Sequence, residues 1–295
     1  MPEGHTLHRL ADDLTSAFAG QRVRVGSPQG RFEAEARRLD GAVLLGADAW
    51  GKHLVLEFDG PGEAPRFVHV HLGLYGKLAL TAYDGDVPAA VGQVRLRIVG
   101  GTHVADLRGA TACDLWTRAQ VEACVARLGP DPLRADADPG RAWARISATE
   151  RSLASLLMDQ SVLAGVGNVY RAELLFRHRL DPRRPGRSLR RRQWDALWDD
   201  LVALMRQGVE RNRIDTVRPE HEPEAMGREP RRDDHGGEVY VYRRAGQPCL
   251  VCGAAVRTAE VEGRNLFWCS ECQRPYRSRT VVSQTQSSHT RSGRG

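Results

Sequence analysis

Two cysteine pairs near the end of the chain constrain its folding more than any other feature. Cys249 and Cys252 form one Cys-x-x-Cys pair, Cys269 and Cys272 form a second, and sixteen residues separate them. This is the spacing of a structural zinc site, in which four thiolates close the coordination shell and leave no position for a substrate. Between the pairs, residues 256–261 and 266–268 read as a hairpin turned at Glu262-Gly263, which places Arg264 at its tip. So short a segment cannot build a core, and one structural zinc ion must supply its folding energy, on the order of 10 kcal/mol. Cys113 and Cys124 stand alone and read as small buried residues.

The other 230 or so residues, about two domains' worth, must carry whatever function the finger serves. Of the 295 residues, 41% are hydrophobic and 27% charged, as in an ordinary globular enzyme. No apolar run approaches a membrane span and no signal-peptide core opens the chain, which predicts a cytoplasmic protein with no membrane partner. A net charge of +6, carried mainly by arginine, favours a polyanion, with nucleic acid ahead of an anionic membrane surface.

The opening Met1-Pro2-Glu3-Gly4 has a chemical reading of its own. Proline after the initiator is small enough to predict removal of Met1, leaving a secondary amine beside a carboxylate. An α-amino group titrates near 7.7–8.0 and lysine near 10.4, so roughly a tenth of the former is unprotonated at neutral pH. Such an amine is a ready nucleophile, and Glu3 can move the protons its chemistry requires. A disordered, merely processed terminus is the plainer alternative.

Residues 6–18 have helical periodicity, with Leu7, Leu10, Leu14, Ala17 and Phe18 on one face and Gly20 beyond the end. From 21 to about 107 the chain turns to short β-rich runs (21–25, 43–47, 53–58, 67–72, 78–81 and 94–99), which predict an antiparallel sandwich or barrel. Lys52 sits at a loop edge in Trp50-Gly51-Lys52-His53, where it can reach a phosphate or remain simply solvated. Leu74 and Tyr75 are held between Gly73 and Gly76 as an apolar wedge, suited to core packing or to unstacking bases. Arg108-Gly109-Ala110 offers an arginine at a loop tip. A helix over 119–128 ends in Arg127-Leu-Gly-Pro-Asp-Pro, and 130–139 reads as a linker.

Helical periodicity returns from 142 to 207. The stretch Ala164-Gly-Val-Gly-Asn168 joins two helices through a glycine turn whose amides can approach a phosphate, with Asn168 opening the second helix. Eight arginines between 177 and 192 favour a DNA-facing surface. The polar stretch 213–237 reads as a flexible loop, and the basic tail after Arg274 as disordered.

Taken in order, these motifs resemble the formamidopyrimidine-DNA glycosylase / endonuclease VIII family. The likeness runs from Met-Pro-Glu-Gly through Gly51-Lys52, Arg127-Leu-Gly-Pro-Asp, Leu157-Met-Asp-Gln-Ser-Val-Leu-Ala-Gly-Val-Gly-Asn168-Val-Tyr and Val241-Tyr-Arg-Arg-Ala-Gly-Gln-Pro-Cys249 to Gly263-Arg264, over about residues 2–273. The resemblance implies an α+β multi-domain chain: an N-terminal catalytic antiparallel β-sandwich (1–128), a helix–two-turn–helix domain with its flexible loop (129–237), a zinc finger (238–273) and the tail (274–295). It implies a bifunctional DNA glycosylase and abasic-site lyase, a monomer acting on damaged DNA of the nucleoid and using no redox or organic cofactor. Pro2 corresponds to the nucleophile at C1′, Glu3 to the proton shuttle, Lys52 to the β-elimination lysine and Arg264 to the arginine of δ-elimination. Leu74 and Tyr75 correspond to the wedge, Arg108 to the arginine loop, and Arg127 and Asn168 to backbone-binding positions. No phenylalanine follows Arg108-Gly109, and Leu74-Tyr75 is closer to the endonuclease VIII branch, although Gly73 replaces the polar residue expected before it. Oxidised pyrimidines are the expected lesions. An 8-oxopurine glycosylase of the same fold and a catalytically silent damaged-DNA-binding protein are the alternatives.

Overall fold

The computed structural model describes residues 2–232 and 237–277. The predicted loss of Met1 and most of the predicted tail lie outside the described residues.

Helix α1 (Gly4–Phe18) buries Leu7, Ala11, Leu14, Ala17 and Phe18, recurring every three or four residues along one side. Ala19 ends it in extended conformation, and Gly20 takes the left-handed φ of 76°. The next run is broken into β1 (Gln21–Arg22) and β2 (Arg24–Gly26), and the break at Val23 carries the chain from one sheet to the other. Helix α2 (Glu33–Leu39), which the sequence reading did not anticipate, packs against β2. The remaining strands are β3 (Val43–Trp50), β4 (His53–Phe58), β5 (Phe67–His71), β6 (Lys77–Ala82), β7 (Val94–Val99), β8 (His103–Arg108) and β9 (Ala112–Trp116). They form two antiparallel sheets, ordered β1-β3-β4-β5-β9 and β2-β7-β8-β6. Leu54, Leu56, Val68 and Val70 of one sheet meet Leu96, Ile98, Ala105 and Leu107 of the other in a single core with α1. The expected sandwich is therefore present, and its strands continue to Trp116, beyond the predicted end near 107. Helix α3 (Arg118–Ala126), capped by Thr117 and Gln120, covers the outer face of β5.

The helical body contains α4 (Pro139–Ser147), α5 (Leu153–Met158), α6 (Asn168–Arg177) and α7 (Arg191–Arg211). Strands β10 (Arg257–Val261) and β11 (Arg264–Trp268) form the finger hairpin, turned at Glu262 and Gly263 with φ of 51° and 71°. The finger shares a core with the helices: Cys249, Val256, Leu266, Phe267, Cys269 and Cys272 belong to the same apolar cluster as Leu174, Leu175 and Trp194.

Two expectations need correction. The predicted flexible loop includes a four-residue helix, α8 (Pro223–Met226), and is tied down on both sides of it. The Thr216 hydroxyl donates to Glu173 at 2.6 Å, the Arg218 amide to the Tyr240 hydroxyl at 2.9 Å, and Arg228 to Glu238 at 2.6 Å. The beginning of the tail is docked as well, its Tyr276 amide donating to Asp181 at 2.8 Å. Among the described residues, no helix is long and apolar enough to cross a membrane.

Candidate active site

Gly167 caps α6 without any side chain to accept from the helix's first amides. The missing acceptor comes from 164 residues earlier. Glu3, wholly buried, takes the amide of Gly167 at 2.8 Å and of Tyr170 at 3.4 Å on Oε2, and that of Val169 at 2.8 Å on Oε1. An anion at a helix N-terminus is also favoured by the helix dipole. The neighbouring Gly4 amide donates to the Gly165 carbonyl at 2.8 Å. A Cβ on Gly4 would lie 2.8 Å from the Gly165 Cα, one on Gly51 3.0 Å from the Gly165 amide, and one on Gly167 2.4 Å from the Glu3 carboxyl carbon. Three segments distant in sequence thus meet backbone to backbone, and glycine alone permits the approach.

The Lys52 loop is fixed by Asp131, from the Arg-Leu-Gly-Pro-Asp stretch. The buried Asp131 carboxylate accepts the Gly51 amide at 2.6 Å and the Leu133 amide at 3.0 Å, and pairs with His8 at 2.8 Å. Lys52 then enters a cleft of about 390 Å³ together with Pro2, His71, Leu74, Arg171 and Arg264. Burial pushes the Glu3 carboxyl above its ordinary range, against the opposing pull of Lys52 and the three amides. Burial lowers the Lys52 ammonium, and Arg264 and Arg171 add to that while Glu3 opposes it. Each group is moved toward its neutral form, which narrows the gap in acidity between the carboxyl and the amine.

The finger closes the far side. Asn168 donates its amide to the Asn265 carbonyl at 2.9 Å, and Arg171 donates to that carbonyl at 3.1 Å and to the Asn168 side-chain oxygen. These bonds fasten α6 to the second residue of β11, beside Arg264. The cysteine sulfurs converge: Cys249 and Cys272 are 3.9 Å apart, Cys252 and Cys269 3.5 Å, and all four lie within 4.8 Å of one another. A tetrahedron of ~2.3 Å Zn–S bonds has sulfur–sulfur edges of about 3.8 Å, so the set fits one structural zinc ion.

Other sequence-predicted residues are placed differently. Leu74 is half exposed and Tyr75 88% exposed, so this turn has no core to pack into. Arg108 does not reach the cleft: it donates to the Val91 carbonyl at 2.8 Å and pairs with Asp106 at 3.0 Å. The backbone beside it, at Gly109, supports the Tyr75 turn. Arg127 is exposed at the end of α3, near enough for its charge to weigh on His53. The arginine cluster is largely spent on the protein itself. Arg177 pairs with Asp200 at 2.7 Å, Arg191 pairs with Asp195 at 2.7 Å, and Arg183 stacks 4.2 Å over the Trp268 ring. Arg171 was not anticipated. It is almost fully buried, and burial lowers its guanidinium to about 10. Its place three residues after Asn168, one helical turn on, was the available signal.

A β-sandwich whose second and third residues are seated against a helix of a separate body, with a zinc-finger arginine facing them, defines one class of DNA-repair protein. Three family profiles match in the corresponding order: the formamidopyrimidine-DNA glycosylase N-terminal domain over residues 1–113, its H2TH domain over 128–218, and the zinc finger found in FPG and IleRS over 246–275. The chain belongs to the formamidopyrimidine-DNA glycosylase / endonuclease VIII family, the DNA glycosylases of base excision repair, and to its endonuclease VIII branch. It is 54% identical over 278 residues to Endonuclease 8 1 of Mycobacterium tuberculosis (strain ATCC 25618 / H37Rv), covering 92% of this chain and 100% of that one. With Probable endonuclease 8 2 of Streptomyces coelicolor the identity is 32% over 280 residues, covering 92% and 94%. Among solved structures, wild-type Lactococcus lactis Fpg bound to N7-benzyl-Fapy-dG DNA matches with a TM-score of 0.73 at 21% identity, covering 93% of this chain and 100% of that one.

Proposed function

We propose that this glycosylase excises oxidised pyrimidines through an imine on Pro2 and then cuts the strand by β,δ-elimination, working in the cytoplasm on nucleoid DNA. The observation that carries the reading is the seating of Glu3 on the α6 amides, which holds Pro2 in one cleft with Lys52 and Arg264. With Met1 removed, the Pro2 nitrogen attacks C1′ and the glycosidic bond breaks, the base leaving with a proton. Glu3 delivers a proton to O4′ as the sugar opens, and the nitrogen's electron pair completes an iminium. That cation acidifies C2′–H: loss of this proton breaks the bond from C3′ to the 3′ phosphate. Loss of a further proton, from C4′, drives a second elimination that breaks C5′–O5′, with Arg264 holding the departing phosphate. Water then hydrolyses the imine and frees Pro2. Lys52, moved toward its neutral form, takes and returns protons beside Glu3, while Asn168 and Arg127 hold the DNA backbone.

The pyrimidine preference draws on the 54% identity to an endonuclease 8 and on the exposed Leu74-Tyr75 turn, which fits a wedge for the gap left by the extruded base. An 8-oxopurine reading has one observation in its favour: a fold neighbour at 21% identity, MutM, was solved with DNA containing carbocyclic 8-oxo-G. Borohydride trapping on duplexes carrying an oxidised pyrimidine, 8-oxoguanine or a bare abasic site tests both. We expect a covalent adduct on Pro2, fastest with the pyrimidine lesion. Preference for 8-oxoguanine would replace the substrate assignment. No adduct on any duplex, from protein lacking Met1, would remove the lyase itself.

A further inference from the structure

One side of the cleft carries an arginine without a task in the sugar chemistry. Arg151, two residues before α5, and Ser155 and Met158 within it line this side of the cleft, which they share with Pro2 and the apolar Leu7 and Leu72. Asp159 holds the Arg151 guanidinium at 2.7 Å through Oδ2, while its Oδ1 is occupied by the Ser161 amide at 3.0 Å and hydroxyl at 2.7 Å. The backbone of Arg151 is pinned too. Its amide donates to Thr149 Oγ1 at 3.2 Å and its carbonyl accepts the Gly186 amide at 2.9 Å.

Several neighbouring polar side chains are consumed, whereas Lys52, His71, Glu262 and Arg264 line the cleft elsewhere. Gln160 donates to the Met158 and Val166 carbonyls at 2.9 and 3.0 Å and accepts the Gly165 amide at 3.0 Å. Arg171 is fastened to Asn168 and Asn265, and Glu3 to α6. Arg151 has only one hydrogen bond from its guanidinium among the described residues, at Nη1, and its side chain is 46% exposed. A guanidinium carries five N–H donors and no acceptor, so several remain without a protein acceptor among the described residues, on a side chain that lines the cleft.

Resting on the glycosylase reading above, we propose that Arg151, aimed by Asp159, reads the extrahelical base by donating to a ring carbonyl oxygen, and so favours 2,4-dioxopyrimidine lesions over their 4-amino counterparts. With N1 turned toward Pro2, the edge of a pyrimidine bearing the 4-substituent points away from the sugar. A 4-oxo group accepts a charge-assisted hydrogen bond there. A 4-amino group presents N–H to N–H, leaving the donor unpaired.

The test compares 5-hydroxyuracil, 5-hydroxycytosine and a pre-formed abasic site in otherwise identical duplexes, using the full-length zinc-loaded enzyme and its Arg151→Ala and Arg151→Lys variants. The wild type should excise 5-hydroxyuracil about 10-fold faster than 5-hydroxycytosine. In Arg151→Ala that preference should fall below ~2-fold, and the ratio of 5-hydroxyuracil excision to abasic-site cleavage should fall about 10-fold. Arg151→Lys keeps the charge without the anchored fork and should recover less than half of the lost preference. Equal losses on all three duplexes, with a shallower salt dependence, would make Arg151 a phosphate contact and overturn the proposal. So would an unchanged preference, or full recovery by lysine. Trapping of the wild type on Pro2 stands independently: an adduct with an unchanged Arg151→Ala preference defeats this inference alone, whereas absence of any wild-type adduct defeats the glycosylase mechanism beneath it.

Discussion

A single buried carboxylate at position 3 caps α6 and, by doing so, seats its neighbour Pro2 at the cleft. Glu3→Gln keeps the shape but turns an N–H₂ toward amides that need an acceptor. It should therefore destabilise the protein by about 2–3 kcal/mol in urea melts as well as suppress trapping on Pro2. A variant of wild-type stability would mean that the cap contributes little. Lys52→Ala should slow base excision more than cleavage of a pre-formed abasic site, and equal losses in single-turnover assays would argue against its place beside Glu3. Pro2, Glu3, Lys52 and Arg264 could be singled out from sequence because each sits in a short local motif, and the fold brings Pro2, Lys52 and Arg264 to one cleft. The sequence could not reveal that Glu3 binds amides 164 to 167 positions away, nor that Arg171 lies buried beside Asn168. Arg108 shows the opposite failure. A loop-tip arginine looks free in sequence, but Asp106, two residues earlier on the same strand, holds it.

The elements were legible where periodicity runs long and obscure where it does not. Helix α1 and strands β4 and β7 follow from their patterns, whereas the seven-residue α2 and the late strand β9 are too short to stand out. On the outer sheet face, β4 and β5 bring His53 Nδ1 to 2.9 Å from His69 Nε2, and the His69 ring stacks on Trp116 at 3.7 Å. Burial lowers both imidazoles, and that of His5, to about 4 from 6.5. Because the folded values are depressed, the unfolded chain takes up protons first as pH falls. Stability is full at neutral pH and declines from about 6.5 toward about 4, by about 1–2 kcal/mol for each histidine at pH 5. Thermal melts between pH 7.5 and 5 should show this decline, and it should be shallower in a His53→Gln/His69→Gln variant. An identical slope in both proteins would place the acid sensitivity elsewhere. Helix α6 is tied at a second point, where Glu173 accepts the Tyr240, Val241 and Tyr242 amides at 2.6 to 2.8 Å and so fixes the chain entering the finger.

At the scale of the whole molecule, the finger and the helices are one apolar body. Cysteine spacing disclosed the metal but could not disclose that shared core. Cys269→Ser should lose zinc and loosen α6 and the 240–242 segment as well as the finger, while the sandwich, with its separate core, stays folded. Hydrogen exchange resolved by segment, alongside zinc content, checks this. Zinc retained in that variant would count against the ligand set. The cleft draws on the first residues of the chain, on residues 151–171 in its middle, and on Arg264 near its end. A ribosome emits these parts in order: a nascent chain stopped between Asn168 and Arg264 holds Pro2, Lys52 and Asn168 without the arginine, and one stopped before Cys269 still lacks a closed metal site. Under the mechanism proposed above, a product truncated before these segments would lack both the arginine that grips the departing phosphate and the metal-bound finger that carries it.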